Sequence, residues 1–123
     1  MTSEGLEKSY ALLLLSPWRM CERLFPLLKN HDDTARIINV VSGGMYAERL
    51  NLKRLNMTSD GYRGARAYAQ CKRALSIMTE VWAERWQHHN IVVNAMHPGW
   101  SDTPGVQKSV SYTHLTLPTI LSV

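Results

Sequence analysis

The spacing of hydrophobic residues predicts two long helices along the chain. The first is expected over residues 3–29, with Ser3 as its N-cap and Pro17 kinking or interrupting it. The second is expected over residues 65–89. Apolar residues recur at helical spacing in the first at Leu6, Tyr10, Leu13, Leu14, Leu24, Leu27 and Leu28. The residues predicted to share one side of the second are Ala65, Tyr68, Ala69, Lys72, Leu75, Ser76, Thr79 and Trp82.

Two runs of β-branched residues predict short strands. Residues 36–41 read RIINVV and residues 91–96 read IVVNAM, which is the composition of buried strands in parallel sheets. The glycine-containing stretch over 43–64 between them predicts irregular structure. The order helix, strand, helix, strand therefore predicts an α/β fold with a parallel sheet.

Composition narrows the class of protein. The 123 residues suit one domain, and their net charge of +4 is scattered, which argues against a nucleic-acid partner. No apolar run reaches the length of a membrane span, and the N-terminal stretch does not resemble a signal peptide. Cys21 and Cys71 lie outside any metal-ligand spacing, so two reduced thiols in a cytoplasmic protein are expected.

The C-terminal tail departs from this pattern. Residues 110–119 read VSYTHLTLPT, which has strand-like composition but no partner in the preceding order, and which looks like a translated sequencing-library adapter. We predict that the domain occupies residues 1–109 and that residues 110–123 are an artefactual or disordered tail. A genuine C-terminal strand is the alternative.

Ser42, Tyr68 and Lys72 form the strongest candidate for chemistry. Ser42 ends the first predicted strand, and parallel sheets bind ligands beyond the carboxyl ends of their strands. Tyr68 and Lys72 are four residues apart on one helical face, where an ammonium would lower the pKa of the phenol. Alone, such a pair is commonly a solvated surface pair and such a serine a turn residue. Their combination in this order is more specific.

The chain resembles the short-chain dehydrogenase/reductase superfamily, and within it the subgroup called dehydrogenase/reductase member 12. The matching stretches are GLEKSYA (5–11), SGGMY (42–46), YRGARAYAQCKR (62–73) and MHPGWSDTPGV (96–106). The resemblance implies a partial Rossmann-type doubly wound sheet, of which about two strands and two long helices are present. It also implies hydride transfer between NAD or NADP and a small carbonyl or alcohol substrate.

The resemblance assigns residue roles. Tyr68 is implied to be the general acid/base, Lys72 to lower its pKa and bind the nicotinamide ribose, and Ser42 to orient the substrate carbonyl. The nicotinamide end is implied to rest on Pro98, Gly99 and Thr103, with the backbone around Trp100 contributing. The two helices are implied to pair with those of a second subunit, giving a homo-oligomer.

Two departures from the family pattern stand out. No G-x-x-x-G-x-G turn for the pyrophosphate follows any strand, so the cofactor-binding half is expected to be missing and this chain alone to be inactive. Leu13 stands where the family has a catalytic asparagine, which puts its proton relay in doubt. A degenerate, non-catalytic interaction module therefore remains the alternative function.

Other polar and aromatic residues carry weaker signals. His88 and His89 lie where a helix dipole favours histidine, and with no third ligand apparent we predict no metal site. His97 either touches substrate or only ends the second strand. Trp100 either lines the substrate pocket or packs structurally.

Overall fold

A computed structural model of the protein describes residues 1–57, 60–99 and 104. A long helix, α1, runs without a break through the segments Lys8–Tyr10, Ala11–Leu15 and Ser16–Leu28. Strand β1 is Ala35–Val40, helix α2 is Gly64–Trp86 and strand β2 is Ile91–Met96. Short 3-10 turns occupy Gly43–Ala47, Leu52–Arg54 and Gln87–His89. The predicted α/β order is confirmed, and the strands agree with the prediction to within one residue.

Helix α1 begins later than predicted, and Ser3 does not cap it. Gly5 has a φ of 75°, a left-handed conformation that glycine adopts readily and that stops a helix from extending further back. Glu7 is the N-cap, and its carboxylate accepts a hydrogen bond from the Tyr10 N–H at 2.7 Å. The prediction missed this because the polar residues at 3–4 and at 7–8 are equally good cap signals.

Pro17 alters α1 without ending it. Proline has no N–H to bond the carbonyl of Leu13, four residues earlier. The segment Ala11–Leu15, just before it, is π-helical, and the N–H of Ser16 bonds the carbonyl of Ala11, five residues back. The irregularity expected at Pro17 therefore takes the form of one wider helical turn.

The two strands form a parallel pair. Ala35 lies opposite Ile91 and Val40 opposite Met96, with every residue between in the same register. The inner face packs on the helices, and a core cluster joins Ile91 and Val93 to both α1 and α2. The outer face is open among the described residues: Ile38, Val40, Val92 and Met96 are exposed. The expectation of buried strands thus holds on one face only.

Aromatic side chains join the two helices. Trp82 stacks on Trp86 with ring centroids 5.5 Å apart, and Trp86 stacks on Phe25 of α1 at 4.8 Å. The indole N–H of Trp82 donates to Glu22 of α1 at 2.7 Å, which satisfies its only polar atom. Helix α2 is followed by the 3-10 turn Gln87–His89 and then Asn90, whose φ of 56° redirects the chain into β2.

The segment between β1 and α2, predicted to be irregular, is pinned by buried polar side chains. Gln70 of α2 is 1% exposed; it accepts from the Asn51 N–H at 2.8 Å and donates to the Arg49 carbonyl at 2.6 Å. Glu7 accepts a hydrogen bond from the Tyr62 hydroxyl at 3.0 Å. Burial alone would raise the pKa of Glu7, but hydrogen bonds from the backbone of Ser9 and Tyr10 and from Tyr62 lower it overall.

None of the helices in the described ranges is long and apolar enough to cross a membrane. Within the same ranges, no three histidine, cysteine, aspartate or glutamate side chains are grouped as metal ligands would be.

Candidate functional site

The carboxyl ends of β1 and β2 meet at one edge of the sheet. Beyond the strand pair, the Val41 N–H still donates to the Met96 carbonyl at 2.9 Å, which holds the two chain segments together as they leave the sheet. Ser42 follows in extended conformation and caps the 3-10 turn Gly43–Ala47. Its hydroxyl oxygen accepts from the Gly44 N–H at 3.3 Å, which fixes the side chain over this turn.

Lys72 reaches the strand end that carries Ser42. Its Nζ donates to the Val40 carbonyl at 2.8 Å. An ammonium has three donors, so this bond leaves two for other acceptors. Burial lowers the pKa of Lys72, opposed by a smaller effect from Cys71. The lysine is therefore a partly desolvated cation tied to the backbone two residues before Ser42.

Tyr68 lies one helical turn before Lys72 on the same face of α2. Helix α2 runs antiparallel to the strands: Thr79, two turns after Lys72, bonds Asn39 inside β1 with a distance of 2.9 Å between Asn39 Nδ2 and Thr79 Oγ1. The earlier turn that carries Tyr68 therefore extends past the end of β1. Tyr68 itself is 39% exposed.

The predicted nicotinamide segment is described only in part. Pro98 and Gly99 follow β2 after His97, and Gly99 has a φ of 87°, which strongly favours glycine at that position. Trp100 and Thr103 lie outside the described residues.

Leu13 occupies the π-helical turn of α1. It is partly buried and packs against the core cluster, so its side chain fills apolar space. Leucine has no hydrogen-bonding group to supply where the family has an asparagine. Sequence reasoning identified the substitution but missed the wide turn around it, for which the position of Pro17 was the available signal.

Arg73 also supports the candidate site, and sequence reasoning missed it. Its Nη1 donates to the Met45 carbonyl at 3.4 Å, so it contacts the turn that Ser42 caps. Its position directly after Lys72 was the only signal. The two neighbouring cations thus contact the chain on both sides of Ser42, at Val40 and at Met45.

The two cysteines are buried, and His89 lies away from this edge. Burial, reinforced by the charge of Glu7 and opposed by Lys72, raises the pKa of Cys71 to about 12, so its thiol stays protonated. Burial, together with the charge of Glu22, also raises the pKa of Cys21. Both thiols are buried and unpaired with each other. His89 packs its ring edge against Phe25 at 5.2 Å, at the far end of α2 from Tyr68.

An open concavity is lined by residues 48–54, but it does not belong to this edge. Gln70, which anchors that loop, is two residues from Tyr68 and so points about 200° around the helix from it. The loop therefore lies on the opposite side of α2 from the phenol.

Comparison with known proteins identifies the family to which this chain is similar. The family model described as enoyl-(acyl carrier protein) reductase matches residues 1–116. Human "Dehydrogenase/reductase SDR family member 12" is 39% identical over 114 residues, which cover 93% of this chain and 35% of the human protein. Its bovine counterpart is 38% identical over 117 residues, covering 95% of this chain and 36% of that protein. Human "Retinol dehydrogenase 13" is 30% identical over 102 residues, covering 83% of this chain and 30% of that protein.

The chain spans about a third of the length of these curated relatives. The boundary predicted at residue 109 stays a prediction, because residues 105–123 lie outside the part of the chain that the structure describes.

The fold is α/β with a parallel strand pair and two long helices, as expected of a partial Rossmann-type domain. Because the family model matches most of its length, the chain belongs to the short-chain dehydrogenase/reductase superfamily of oxidoreductases.

Proposed function

We propose that this chain carries the acid/base and substrate-orienting residues of an NAD(P)-dependent oxidoreductase that interconverts a carbonyl and an alcohol. The observation that carries the proposal is the bond from Lys72 Nζ to the Val40 carbonyl at 2.8 Å. It brings a cation to the strand end that carries Ser42, one helical turn from the exposed phenol of Tyr68. This contact supports the proposal that three groups with complementary proton chemistry share one sheet edge.

Each residue has a distinct role in the proposed reaction. The Ser42 hydroxyl donates to the substrate carbonyl oxygen, which orients the carbonyl and stabilises the negative charge that develops on that oxygen. The Tyr68 hydroxyl gives its proton to the same oxygen as the carbonyl is reduced, and takes it back in the reverse direction. The Lys72 ammonium stabilises the resulting phenolate, and partial burial strengthens this interaction because less water screens it.

The residues present fit the nicotinamide end of the cofactor. Lys72 retains two N–H donors for ribose hydroxyls, and Pro98 and Gly99 follow β2 one residue after its end. When bound, the nicotinamide supplies or accepts the hydride. The chain has no G-x-x-x-G-x-G turn that could seat the pyrophosphate. We therefore propose that this chain alone is inactive and depends on a segment that carries such a turn.

A comparison of Lys72 variants tests this function. We define the extended protein as this chain joined to the residues encoded directly upstream of it, and would follow its nicotinamide absorbance with a panel of ketones and aldehydes. Lys72→Met is expected to lower kcat/KM by about 100-fold or more, since it removes the cation and the ribose donors. Lys72→Arg, which keeps the charge with a different geometry, should lose less.

The alternative function is a non-catalytic interaction module, which Leu13 favours. A non-catalytic module predicts no turnover of any carbonyl by the extended protein. An in-frame stop codon directly upstream, or an extended protein that oxidises no nicotinamide with any carbonyl, would support the module and refute the enzyme.

We also propose that the two helices form a homo-oligomer interface. Apolar side chains on the outside of α1 at Leu12, Met20, Leu24 and Leu27 are exposed, as is Ile77 on α2. Exposed apolar stripes of this kind are typical of subunit contacts. Sedimentation of the extended protein should show a dimer or larger species that the double variant Leu24→Lys/Leu27→Lys converts to monomer. A wild-type monomer at micromolar concentration would contradict the proposal.

A further inference from the structure

His97 lies at the same sheet edge as Ser42, immediately after β2. The last paired positions of the strands are Val40 and Met96, so His97 continues the register opposite Val41. Side chains alternate between the faces of a strand, and Val41 is buried on the α2 side. This alternation places His97 on the helix side of the sheet edge, where the candidate catalytic residues lie.

The imidazole of His97 packs directly on Gly43. A Cβ at position 43 would lie 3.0 Å from His97 Nε2, 3.5 Å from Cε1 and 3.8 Å from Cδ2, so the ring occupies the space of a side chain there. The backbone at position 43 does not require a glycine, because its φ is not in the left-handed region. The described glycines with a left-handed φ are Gly5, Gly61 and Gly99. A side chain at position 43 would be tighter against this ring than an ordinary contact, and the ring would have to give by a few tenths of an ångström.

Gly43 connects this contact to the Ser42 hydroxyl. It follows Ser42 and opens the 3-10 turn, in which the Gly44 N–H bonds Ser42 Oγ at 3.3 Å and the Met45 N–H bonds the Ser42 carbonyl at 3.1 Å. Any shift of Gly43 changes both bonds. Gly44 differs from Gly43, since a Cβ there would meet only Ser42 Oγ at an ordinary 3.6 Å.

We propose that His97 is a positioning residue: its imidazole, packed on Gly43, holds the turn that aims the Ser42 hydroxyl at the substrate carbonyl. The catalytic effect of His97 rests on the function proposed above. The packing of its ring on Gly43 does not depend on that function. Because His97 is exposed, its ring can give way by the few tenths of an ångström that a methyl group at Gly43 would require. Gly43→Ala should therefore act only through this contact, and its effect should require the His97 ring.

Amide hydrogen exchange at Met45 in the 123-residue chain tests the contact. His97→Ala should accelerate this exchange by about tenfold, Gly43→Ala should accelerate it less, and Gly43→Ala should have no further effect once His97 is alanine. His97→Phe, which keeps a planar ring against Gly43, should restore most of the protection. His88→Ala and Gly44→Ala are the matched controls and should leave it within about twofold. Additive effects of the two single variants, or no effect of His97→Ala, would overturn the proposal.

Kinetics of the extended protein test the link to Ser42. His97→Ala should lower kcat by about 10- to 100-fold with KM little changed, because it misplaces a group that acts in the transition state. In a Ser42→Ala background the same change should cost almost nothing, a result that general destabilisation would not give. An undiminished cost in that background would overturn the positioning role. Failure of the proposed function is a different result: no turnover in the wild type, with the exchange pattern intact.

Discussion

Replacing Tyr68 with phenylalanine is expected to lower kcat of the extended protein by 100- to 10,000-fold, the range typical of losing a general acid. The change removes one oxygen and keeps the ring. Because Tyr68 is 39% exposed, its hydroxyl contributes little to packing, and the free energy of unfolding should change by less than about 0.5 kcal/mol. The rate of nicotinamide absorbance change and the urea midpoint measure the two effects separately.

Tyr62→Phe is the matched control for this prediction. The Tyr62 hydroxyl donates to Glu7, the N-cap of α1, at 3.0 Å, so its removal should cost about 1–2 kcal/mol of stability and leave kcat nearly unchanged. Tyr68→Phe should thus lower activity without lowering stability, and Tyr62→Phe should lower stability without lowering activity. Equal activity of Tyr68→Phe and the wild type would refute the acid/base assignment.

Replacing Trp82 with alanine is expected to lower the free energy of unfolding by about 3–5 kcal/mol. Trp82 is fully buried, stacks on Trp86, and donates its indole N–H to Glu22 of α1 at 2.7 Å. The substitution opens a cavity between the helices and leaves the carboxylate without this donor. Since small domains are stable by only about 5–15 kcal/mol, much of the population should unfold at room temperature in modest urea.

Two further tryptophan variants show how much of the stability lost in Trp82→Ala comes from the buried aromatic cluster. Trp82→Phe keeps a ring in the interface but loses the N–H bond, so it should cost about 1–2 kcal/mol and remain folded enough for a complete urea titration. Trp18→Ala removes a tryptophan that is 41% exposed and should cost less than about 1 kcal/mol. A Trp82→Ala loss no larger than that of Trp18→Ala would show that the aromatic cluster does not hold the helices together.

The strands and the second helix could be predicted from sequence because their signals are local. The run at 91–96 coincides with β2, and the β-branched run at 36–41 differs from β1 by one residue. Helix α2 ends at Trp86, three residues before the predicted end, because residues 87–89 tighten into a 3-10 turn that still resembles a helix in sequence.

Other features depend on contacts that a single sequence does not reveal. The start of α1 is set by Glu7, which is fixed in place by partners at Tyr10 and Tyr62, the second of them 55 residues away. The anchoring of residues 49–51 depends on the buried amide of Gln70, which has no pattern of its own in the helix. The open outer sheet face was also missed, because a β-branched run is compatible with burial on either one face or both.

The candidate site was inferred from the order of its residues along the chain, which says nothing of their contacts. That order predicts that Ser42, Tyr68 and Lys72 share one edge of a parallel sheet, and their joint role stays a prediction. The attachment of Lys72 to Val40 and the packing of His97 on Gly43 were not predictable, since both are tertiary contacts between residues with ordinary local sequence.

The central claim is that Ser42, Tyr68 and Lys72 act together on one bound carbonyl. The most direct measurement is a crystal structure of the extended protein with a nicotinamide cofactor and a ketone inhibitor. We predict that Ser42 Oγ and the Tyr68 hydroxyl both lie about 3 Å from the same carbonyl oxygen, with Lys72 Nζ on the cofactor ribose. A ketone bound elsewhere, or a Tyr68 hydroxyl directed to a different surface from Ser42, would contradict the account.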